Sequence, residues 1–308
     1  MHILILGAGA LGTLFGIRLA ENNFRVSLIS RNREHITKIR ENGASLQELD
    51  GTEKTVSVPA YVDTDELPTS PDLVLVMVKS YDTEGAVYSI RDKCHANTLF
   101  LTLQNGIGNQ EDIEKHIDKQ NILLGTTAQG ATFLEPGRIR HGGDGAIVMG
   151  ELNAENTQRL HDIANIFGKA GFECSTSSSI LDVIWHKLFI NVGINALTGL
   201  LETQNGWLAK DEEAQKICVE AVLEAVQVAK AQGIAVPENP TREVFNVAGA
   251  TSTNNSSMLQ DIFKGKPTEI DAMNGAIVDI GNELGIRTTV NWTLTKLVKS
   301  KQNLQVSP

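Results

Sequence analysis

The stretch HILILGAGALGTLFGIRLAENNFRVSLIS, residues 2–30, decides the fold of the first half of the chain. Its apolar runs HILIL (2–6) and RVSLIS (25–30) predict two buried strands. Between them, Gly7-Ala8-Gly9-Ala10-Leu11-Gly12 forms a GxGxxG sequence that leads into a helical pattern. A GxGxxG sequence that follows a strand and opens a helix is the fingerprint of a Rossmann-type βαβ unit, which binds a dinucleotide.

Each glycine of this sequence has a physical role in such a unit. Gly7 permits the tight turn, Gly9 lets the backbone approach a pyrophosphate, and Gly12 lets the helix pack closely on the strand. The phosphates would then face the free amides at the helix N-terminus. The alternative is a glycine turn that serves packing alone.

The end of the second strand distinguishes the two nicotinamide dinucleotides. An NAD site has Asp or Glu there, which binds the ribose 2′-hydroxyl, whereas this chain has Ser30-Arg31-Asn32-Arg33. Arg31 can pair with a 2′-phosphate, and no carboxylate stands beside it in the sequence to repel that phosphate. We therefore predict NADP(H); a solvated surface role for Arg31 is the alternative.

Two further loops follow predicted strands. Lys79 comes after the strand at 72–78, and Asn105 comes after the strand at 97–103. Ligands of open α/β sheets bind outside the carboxyl ends of the strands, so both residues are candidates for contact with cofactor or substrate. A solvated strand end for Lys79 and a turn before Gly106 for Asn105 remain open alternatives.

The pattern of elements predicts two domains. Short apolar strands alternate with helical patterns up to residue 128, and residues 133–151 predict an antiparallel hairpin. After CSTSSS (174–179) the patterns are almost all helical, at 180–200, 211–232, 241–248, 257–263, 269–284 and 289–301. We predict an α/β fold: a Rossmann-type doubly wound domain over residues 1–178, followed by an all-helical C-terminal domain over residues 179–308.

The helix predicted at 180–200 is apolar nearly all round, apart from one polar row. Lys187, Asn191 and Asn195 recur at intervals of four and therefore share one face. Burying an amine and two amides without partners costs several kcal/mol, so the row must face something polar. A water-filled cleft that holds an anionic, oxygen-rich substrate is a candidate, and a lysine desolvated there can serve as a proton donor. Hydrogen bonds to neighbouring helices are the alternative.

Composition and charge limit the classes of molecule that the protein is expected to bind. The chain carries 27 basic and 37 acidic residues, a net charge of −10, which disfavours nucleic acids and anionic membranes. Its three cysteines are scattered, its histidines show no metal-ligand spacing, and no apolar run reaches the roughly 18–20 residues of a membrane span. We expect a cytoplasmic protein without metal, nucleic-acid or membrane partners, as a monomer or homodimer.

Five blocks together resemble the ketopantoate reductase (2-dehydropantoate 2-reductase) family: GAGALG, VKS (78–80), QNG (104–106), WHKLFINVGINALT (185–198) and NNSSMLQDIFKGKPTEIDAMNG (254–275). The resemblance extends over essentially the whole chain. It implies NADPH-dependent reduction of 2-dehydropantoate to pantoate, a reaction of pantothenate and coenzyme A biosynthesis. An NADP-dependent reductase of another 2-oxo acid and a non-catalytic NADP(H) sensor are the alternatives.

The resemblance also implies roles for single residues. Lys187 matches the general acid, and Glu269 matches the acid that holds the substrate hydroxyl and the catalytic lysine; spacing alone makes Glu269 only a first-turn acid of a helix. Arg31 matches the contact to the 2′-phosphate, Asn105 a contact to cofactor and substrate, and Lys79 a strand-end lysine of less settled role. The residues that match substrate contacts are Asn191, Asn195, Asn205, Asn254 and Ser257.

Overall fold

The computed structural model describes residues 1–306, with side chains described as far as Leu304. The chain forms two compact units. The first comprises Met1–Gln104 and Asn109–Ile180, and the second comprises the short segment Asn105–Gly108 together with the chain from Leu181 onward. Each unit has its own apolar core.

The first unit contains all the described strands. In chain order they are β1 (His2–Leu6), β2 (Arg25–Ile29), β3 (Ala44–Gln47), β4 (Glu53–Val56), β5 (Ala60–Tyr61), β6 (Leu73–Val76), β7 (Leu99–Thr102), β8 (Ile122–Thr127), β9 (Gly130–Glu135), β10 (Arg138–Gly143), β11 (Ile147–Glu151) and β12 (Cys174–Thr176). Its helices are α1 (Ala10–Glu21), α2 (Arg33–Asn42), α3 (Thr83–Ile90), α4 (Asn109–Glu114) and α5 (Gln158–Lys169).

An eight-stranded sheet forms the core of the first unit, in the order β12-β11-β8-β7-β6-β1-β2-β5. All its pairs are parallel except β8 with β11. Strands β1, β6 and β8 are buried along their whole length, which explains why they form continuous apolar runs in the sequence. The predicted doubly wound sheet is confirmed.

A second, four-stranded sheet in the order β4-β3-β10-β9 was not expected from the sequence. The predicted hairpin over 133–151 is right only for β9 and β10, which turn at Pro136-Gly137. The next strand, β11, leaves the hairpin and pairs antiparallel with β8. Gly145 lies against Ala128, where a Cβ would meet the Ala128 Cβ at 2.5 Å, so the chain between the sheets passes too close for a side chain.

The second unit is helical, as predicted. Its helices are α6 (Ile180–Leu201), α7 (Glu212–Ala231), α8 (Pro240–Ala250), α9 (Ser257–Phe263), α10 (Ala276–Leu284) and α11 (Thr289–Val306). The helix predicted at 269–284 begins as a π-helical turn, Asp271–Gly275, before α10 continues it. The last two residues of the predicted domain, 307–308, lie outside the described part of the chain.

Helix α6 lies in the core of the second unit, with Leu188, Phe189 and Val192 each at most 1% exposed. By length and composition alone this helix would reach across a membrane, although polar residues interrupt its apolar run. However, 56% of its most apolar window is buried within the protein. This burial is typical of a core helix and accounts for its composition.

Candidate functional site

The glycine loop after β1 is fixed by close backbone packing at two of its three glycines. Gly7 has φ +111°, and a Cβ there would lie 2.5 Å from the Val78 amide nitrogen. A Cβ on Gly12 would lie 2.3 Å from the Gly7 carbonyl oxygen. In contrast, nothing lies within 4 Å of the position that a Cβ would take on Gly9. The loop therefore packs tightly against the protein at Gly7 and Gly12, and it has free space beside Gly9.

The N-terminus of α1 offers backbone donors at this open position. Gly9 occupies the N-cap, no side chain caps the helix, and no acid stands in its first turn. The amides of Gly7 and Ala8 both donate to the Ile29 carbonyl, at 3.0 and 2.9 Å, which anchors the loop to β2. The first amides of a helix have no partner within the helix and carry partial positive charge. This cradle fits the pyrophosphate of a dinucleotide.

His35 of α2 holds the glycine helix to the rest of the unit. It is fully buried, and the Gly137 amide donates to its Nδ1 at 2.9 Å. Its Nε2 must then carry the proton, which it donates to Thr13 Oγ1 at 3.0 Å. Burial lowers the pKa of His35 from 6.5 to about 4, so the neutral ring is the stable form.

Arg31 follows β2, as predicted, but it has an acidic neighbour. Its Nη2 donates to Asp82 Oδ2 at 2.5 Å, while 81% of the Arg31 side chain stays exposed. The sequence shows no carboxylate at the end of β2, and the fold brings one from the segment after β6. Nothing in the local pattern signals this, because the two residues are 51 positions apart.

The loops after β6 and β7 are tied together within the first unit. Gln104 Nε2 donates to the Val78 carbonyl at 2.7 Å and to Thr83 Oγ1 at 2.8 Å. Lys79 is half-buried and occupies the N-cap of a short 3₁₀ turn, Ser80–Asp82. The parallel pairing of β6 with β7 therefore places Lys79 and Gln104 at one edge of the sheet, as expected for strand-end residues.

Asn105 belongs by its contacts to the second unit. The Ile107 amide donates to the Ala272 carbonyl at 2.9 Å. Gly106 has φ +80°, and a Cβ there would lie 2.2 Å from the same carbonyl oxygen. Only glycine permits this approach, so the segment of Gly106 and Ile107 packs directly on the π-helical turn that follows Glu269.

The polar row on α6 faces the segment from Glu269 to Met273. Lys187 is half-buried, and loss of solvation lowers its pKa from 10.5 to about 8, although the nearby carboxylate of Glu269 acts in the opposite direction. Glu269 itself is only 6% exposed. Asn195, two turns along the row, is 5% exposed and donates through Nδ2 to Met273 Sδ at 3.4 Å. The structure thus places Lys187, the predicted general acid, near Glu269, its predicted carboxylate partner.

The remaining predicted substrate residues divide into two kinds. Asn205 is buried and donates through Nδ2 to Thr251 Oγ1 at 2.9 Å, and its amide donates to the Asn254 carbonyl at 3.0 Å. Asn254 itself is exposed, and Ser257 is half-buried at the start of α9. The turn at Asn205 and the segment before α9 therefore lie side by side in the second unit.

Two of these amides have a buried atom without a hydrogen-bond partner among the described residues. They are Nδ2 of Asn191, a donor, and Oδ1 of Asn205, an acceptor. A buried polar atom left unpaired costs about 1–3 kcal/mol, and most such atoms in proteins are paired. A polar ligand would give both atoms a partner; Nε2 of His116 and Oδ1 of Asn274 are buried and unpaired in the same way. Within the described residues, no group of three or more His, Cys, Asp or Glu side chains could hold a metal ion.

Comparison with known proteins gives a consistent result. The family description "Ketopantoate reductase PanE/ApbA" matches residues 3–154, and "Ketopantoate reductase PanE/ApbA C terminal" matches residues 179–302. The 2-dehydropantoate 2-reductase of Halobacterium salinarum is 36% identical over 98% of this chain and 99% of its own. That of Pyrococcus horikoshii is 34% identical over 99% of this chain and 98% of its own.

Solved structures agree. A PanE/ApbA family ketopantoate reductase from Ralstonia eutropha superposes with a TM-score of 0.92 at 30% identity, covering 100% of both chains. D-mandelate dehydrogenase in a ternary structure with NADH and anilino(oxo)acetate superposes with a TM-score of 0.93 at 29% identity, also over 100% of both chains. The resemblance predicted from the five sequence blocks is confirmed: the chain belongs to the ketopantoate reductase family of oxidoreductases.

Proposed function

We propose that this protein catalyses the NADPH-dependent reduction of 2-dehydropantoate to pantoate, which supplies pantothenate and coenzyme A synthesis. The observation that carries the proposal is the pair formed by Lys187 and Glu269 in the second unit. A lysine on an apolar core helix, with its pKa lowered to about 8 and a buried carboxylate beside it, suits proton donation near neutral pH. Relatives that match the chain from end to end carry the corresponding name.

Lys187 acts as the general acid in this proposal. With a pKa of about 8, roughly nine-tenths of the lysines hold a proton at pH 7, yet that proton leaves far more easily than from an ordinary lysine. The charge of Glu269 stabilises the protonated form of Lys187, so that the lysine holds a proton to donate. Glu269 also accepts a hydrogen bond from the substrate hydroxyl, which orients the carbonyl oxygen towards the lysine.

Amide and hydroxyl side chains hold the substrate. Asn191 Nδ2 is a buried donor, which suits an oxygen of a 2-oxo carboxylate, and Asn205 Oδ1 is a buried acceptor, which suits a hydroxyl. Asn195, Asn254 and Ser257 complete the set in the proposal. A site built to pair with a substrate hydroxyl rejects analogues that lack it, because its own polar atoms would then stay unpaired.

The first unit binds the cofactor. The residues proposed to hold it are Gly7, Ala8, Gly9, Ala10, Leu11, Gly12, Arg31, Lys79 and Asn105. The open position at Gly9 and the uncapped N-terminus of α1 fit the pyrophosphate. Reduced nicotinamide dinucleotide, when bound, supplies the hydride. The preference for NADPH over NADH rests on Arg31, whose guanidinium suits a 2′-phosphate.

A turnover assay tests this proposal. The purified protein should oxidise NADPH rapidly with 2-dehydropantoate and more slowly with other 2-oxo acids or with NADH. Lys187→Ala should lower kcat by about 10²–10⁴-fold, the usual range for loss of a general acid. The matched control is Lys210→Ala, because Lys210 is an exposed lysine of the same unit. A loss below threefold in Lys187→Ala would exclude Lys187 as the acid.

A second candidate is reduction of another 2-oxo acid. It is favoured by the superposition with D-mandelate dehydrogenase, whose structure contains NADH and the aryl 2-oxo acid anilino(oxo)acetate. Turnover restricted to aryl or branched 2-oxo acids would select this candidate, and dinucleotide binding without any turnover would favour an NADP(H) sensor.

We further propose a domain boundary between residues 178 and 179, two residues before the division between the compact units at Ile180 and Leu181. We also propose that the protein acts in the cytoplasm on small molecules. A net charge of −10 supports the choice of small molecules over nucleic acids or anionic membranes. The three cysteines are all free, which suits a reducing compartment. Sedimentation of the purified chain would distinguish a monomer from a homodimer.

A further inference from the structure

Asp82 lies where the cofactor's adenosine ribose is proposed to bind. The strand order β6-β1-β2 places the segment after β6 and the segment after β2 on either side of the glycine loop. Asp82 comes from the first of these segments and Arg31 from the second. Their hydrogen bond of 2.5 Å puts a carboxylate directly against the group that is proposed to bind a 2′-phosphate.

The Arg31–Asp82 pair contributes little to the fold. Arg31 is 81% exposed, and exposed ion pairs stabilise proteins by about 0–1 kcal/mol. Asp82 is the N-cap residue of α3, but its side chain makes no capping hydrogen bond. Its carboxylate is therefore not needed to begin the helix. A charge in this position with so small a structural role suggests a role towards a ligand.

We propose that Asp82 determines how strongly the site prefers NADPH over NADH. A 2′-phosphate must share Arg31 with the Asp82 carboxylate, and two anions held by the same guanidinium repel each other. A free ribose 2′-hydroxyl, by contrast, can donate a hydrogen bond to that carboxylate. NAD sites use an Asp or Glu at the end of the second strand for this purpose. Here the same chemistry comes from a different strand, so that Asp82 weakens NADPH binding and supports NADH binding.

The inference rests on the proposed cofactor site and is independent of which 2-oxo acid is reduced. The experiment is therefore a binding titration without substrate, in which the dissociation constants of NADPH and NADH are measured by nicotinamide fluorescence. The full-length protein is compared with Asp82→Asn, which removes the charge at nearly constant size. The matched control is Asp92→Asn, because Asp92 is an 85% exposed carboxylate that also pairs with an arginine, Arg91.

Asp82→Asn should increase the ratio of the NADH to the NADPH dissociation constant by about 3–30-fold, the effect expected from removing one charge near a phosphate in a solvated site. This increase should shrink at high salt, because exposed charges are screened. Asp92→Asn and Asp82→Glu should each leave the ratio within about twofold of the native value. If Asp82→Asn does not fold, Asp82→Ser removes the same charge and gives the same expectation.

An unchanged or lower ratio in the neutral variants would overturn the inference; a lower ratio would mean that Asp82 orients Arg31 for the phosphate. If the native protein binds neither dinucleotide, the proposed cofactor site itself is wrong. If it binds both dinucleotides but the ratio of the dissociation constants is the same in the native protein and in the neutral Asp82 variants, the cofactor site stands and only the role of Asp82 is wrong.

Discussion

Raising the pH should switch off the reductase activity through one group, the ammonium of Lys187. Its pKa of about 8 lies well below the 10.5 of an ordinary lysine, because the loss of solvation outweighs the attraction of the Glu269 carboxylate. At pH 9.5 about 3% of such lysines carry the proton, compared with about 90% for an unperturbed lysine. Because the general acid must be protonated, the predicted difference in rate at that pH is about 30-fold.

The assay is kcat as a function of pH between about 6 and 10, followed by the absorbance of reduced nicotinamide with both substrates saturating. The rate should be level below about pH 7 and fall about tenfold for each pH unit above 8. The residual activity of Lys187→Ala should lack this decline, because the titrating group is gone.

Glu269→Gln supplies the second half of the test. The carboxylate of Glu269 raises the pKa of Lys187, so its removal should move the decline to lower pH as well as lower the rate. The matched control is Asp271→Asn, because Asp271 is an exposed carboxylate that pairs with Lys299 at 2.7 Å instead. A native decline only above pH 10, or a shift to higher pH in Glu269→Gln, would refute the assignment.

The other predictions concern stability and binding. His35 takes up a proton below about pH 6.5 in the unfolded chain, but only near pH 4 in the folded protein. The free energy of unfolding should therefore fall by up to about 3 kcal/mol as the pH drops from 6.5 to 4. Urea unfolding at several pH values measures this fall, which should be shallower in His35→Gln. Gly7→Ala should destabilise the protein by about 2–4 kcal/mol because of its positive φ and the backbone 2.5 Å from the new Cβ. Gly9→Ala should keep the melting temperature but weaken dinucleotide binding, since its Cβ enters open space; equal destabilisation of the two variants would contradict the role given to the loop. Asn191→Leu should raise the melting temperature, because it removes an unpaired buried donor, while raising KM for the 2-oxo acid about tenfold; a lower melting temperature with unchanged KM would make Asn191 structural.

Local spacing was enough to predict several features. The alternation of apolar strands and helices predicted the parallel sheet, because strands buried on both faces must be continuously apolar. The interval of four between Lys187, Asn191 and Asn195 predicted a polar face on α6, because a helix repeats every 3.6 residues. The resemblance of five sequence blocks to a known family predicted Glu269 as the partner of that lysine.

Features that depend on contacts between distant segments could not be predicted in this way. The pairing of β11 with β8, the small second sheet and the packing of Gly106 on the Ala272 carbonyl all join segments whose local patterns are independent of each other. The same holds for Asp82, which lies 51 residues from Arg31 along the chain. The sequence by itself determined the central strands of the parallel sheet, the glycine loop and the polar row, because each follows from the pattern within one element. Only the tertiary structure decided which charges meet and which buried amides stay unpaired, because those depend on how the elements pack.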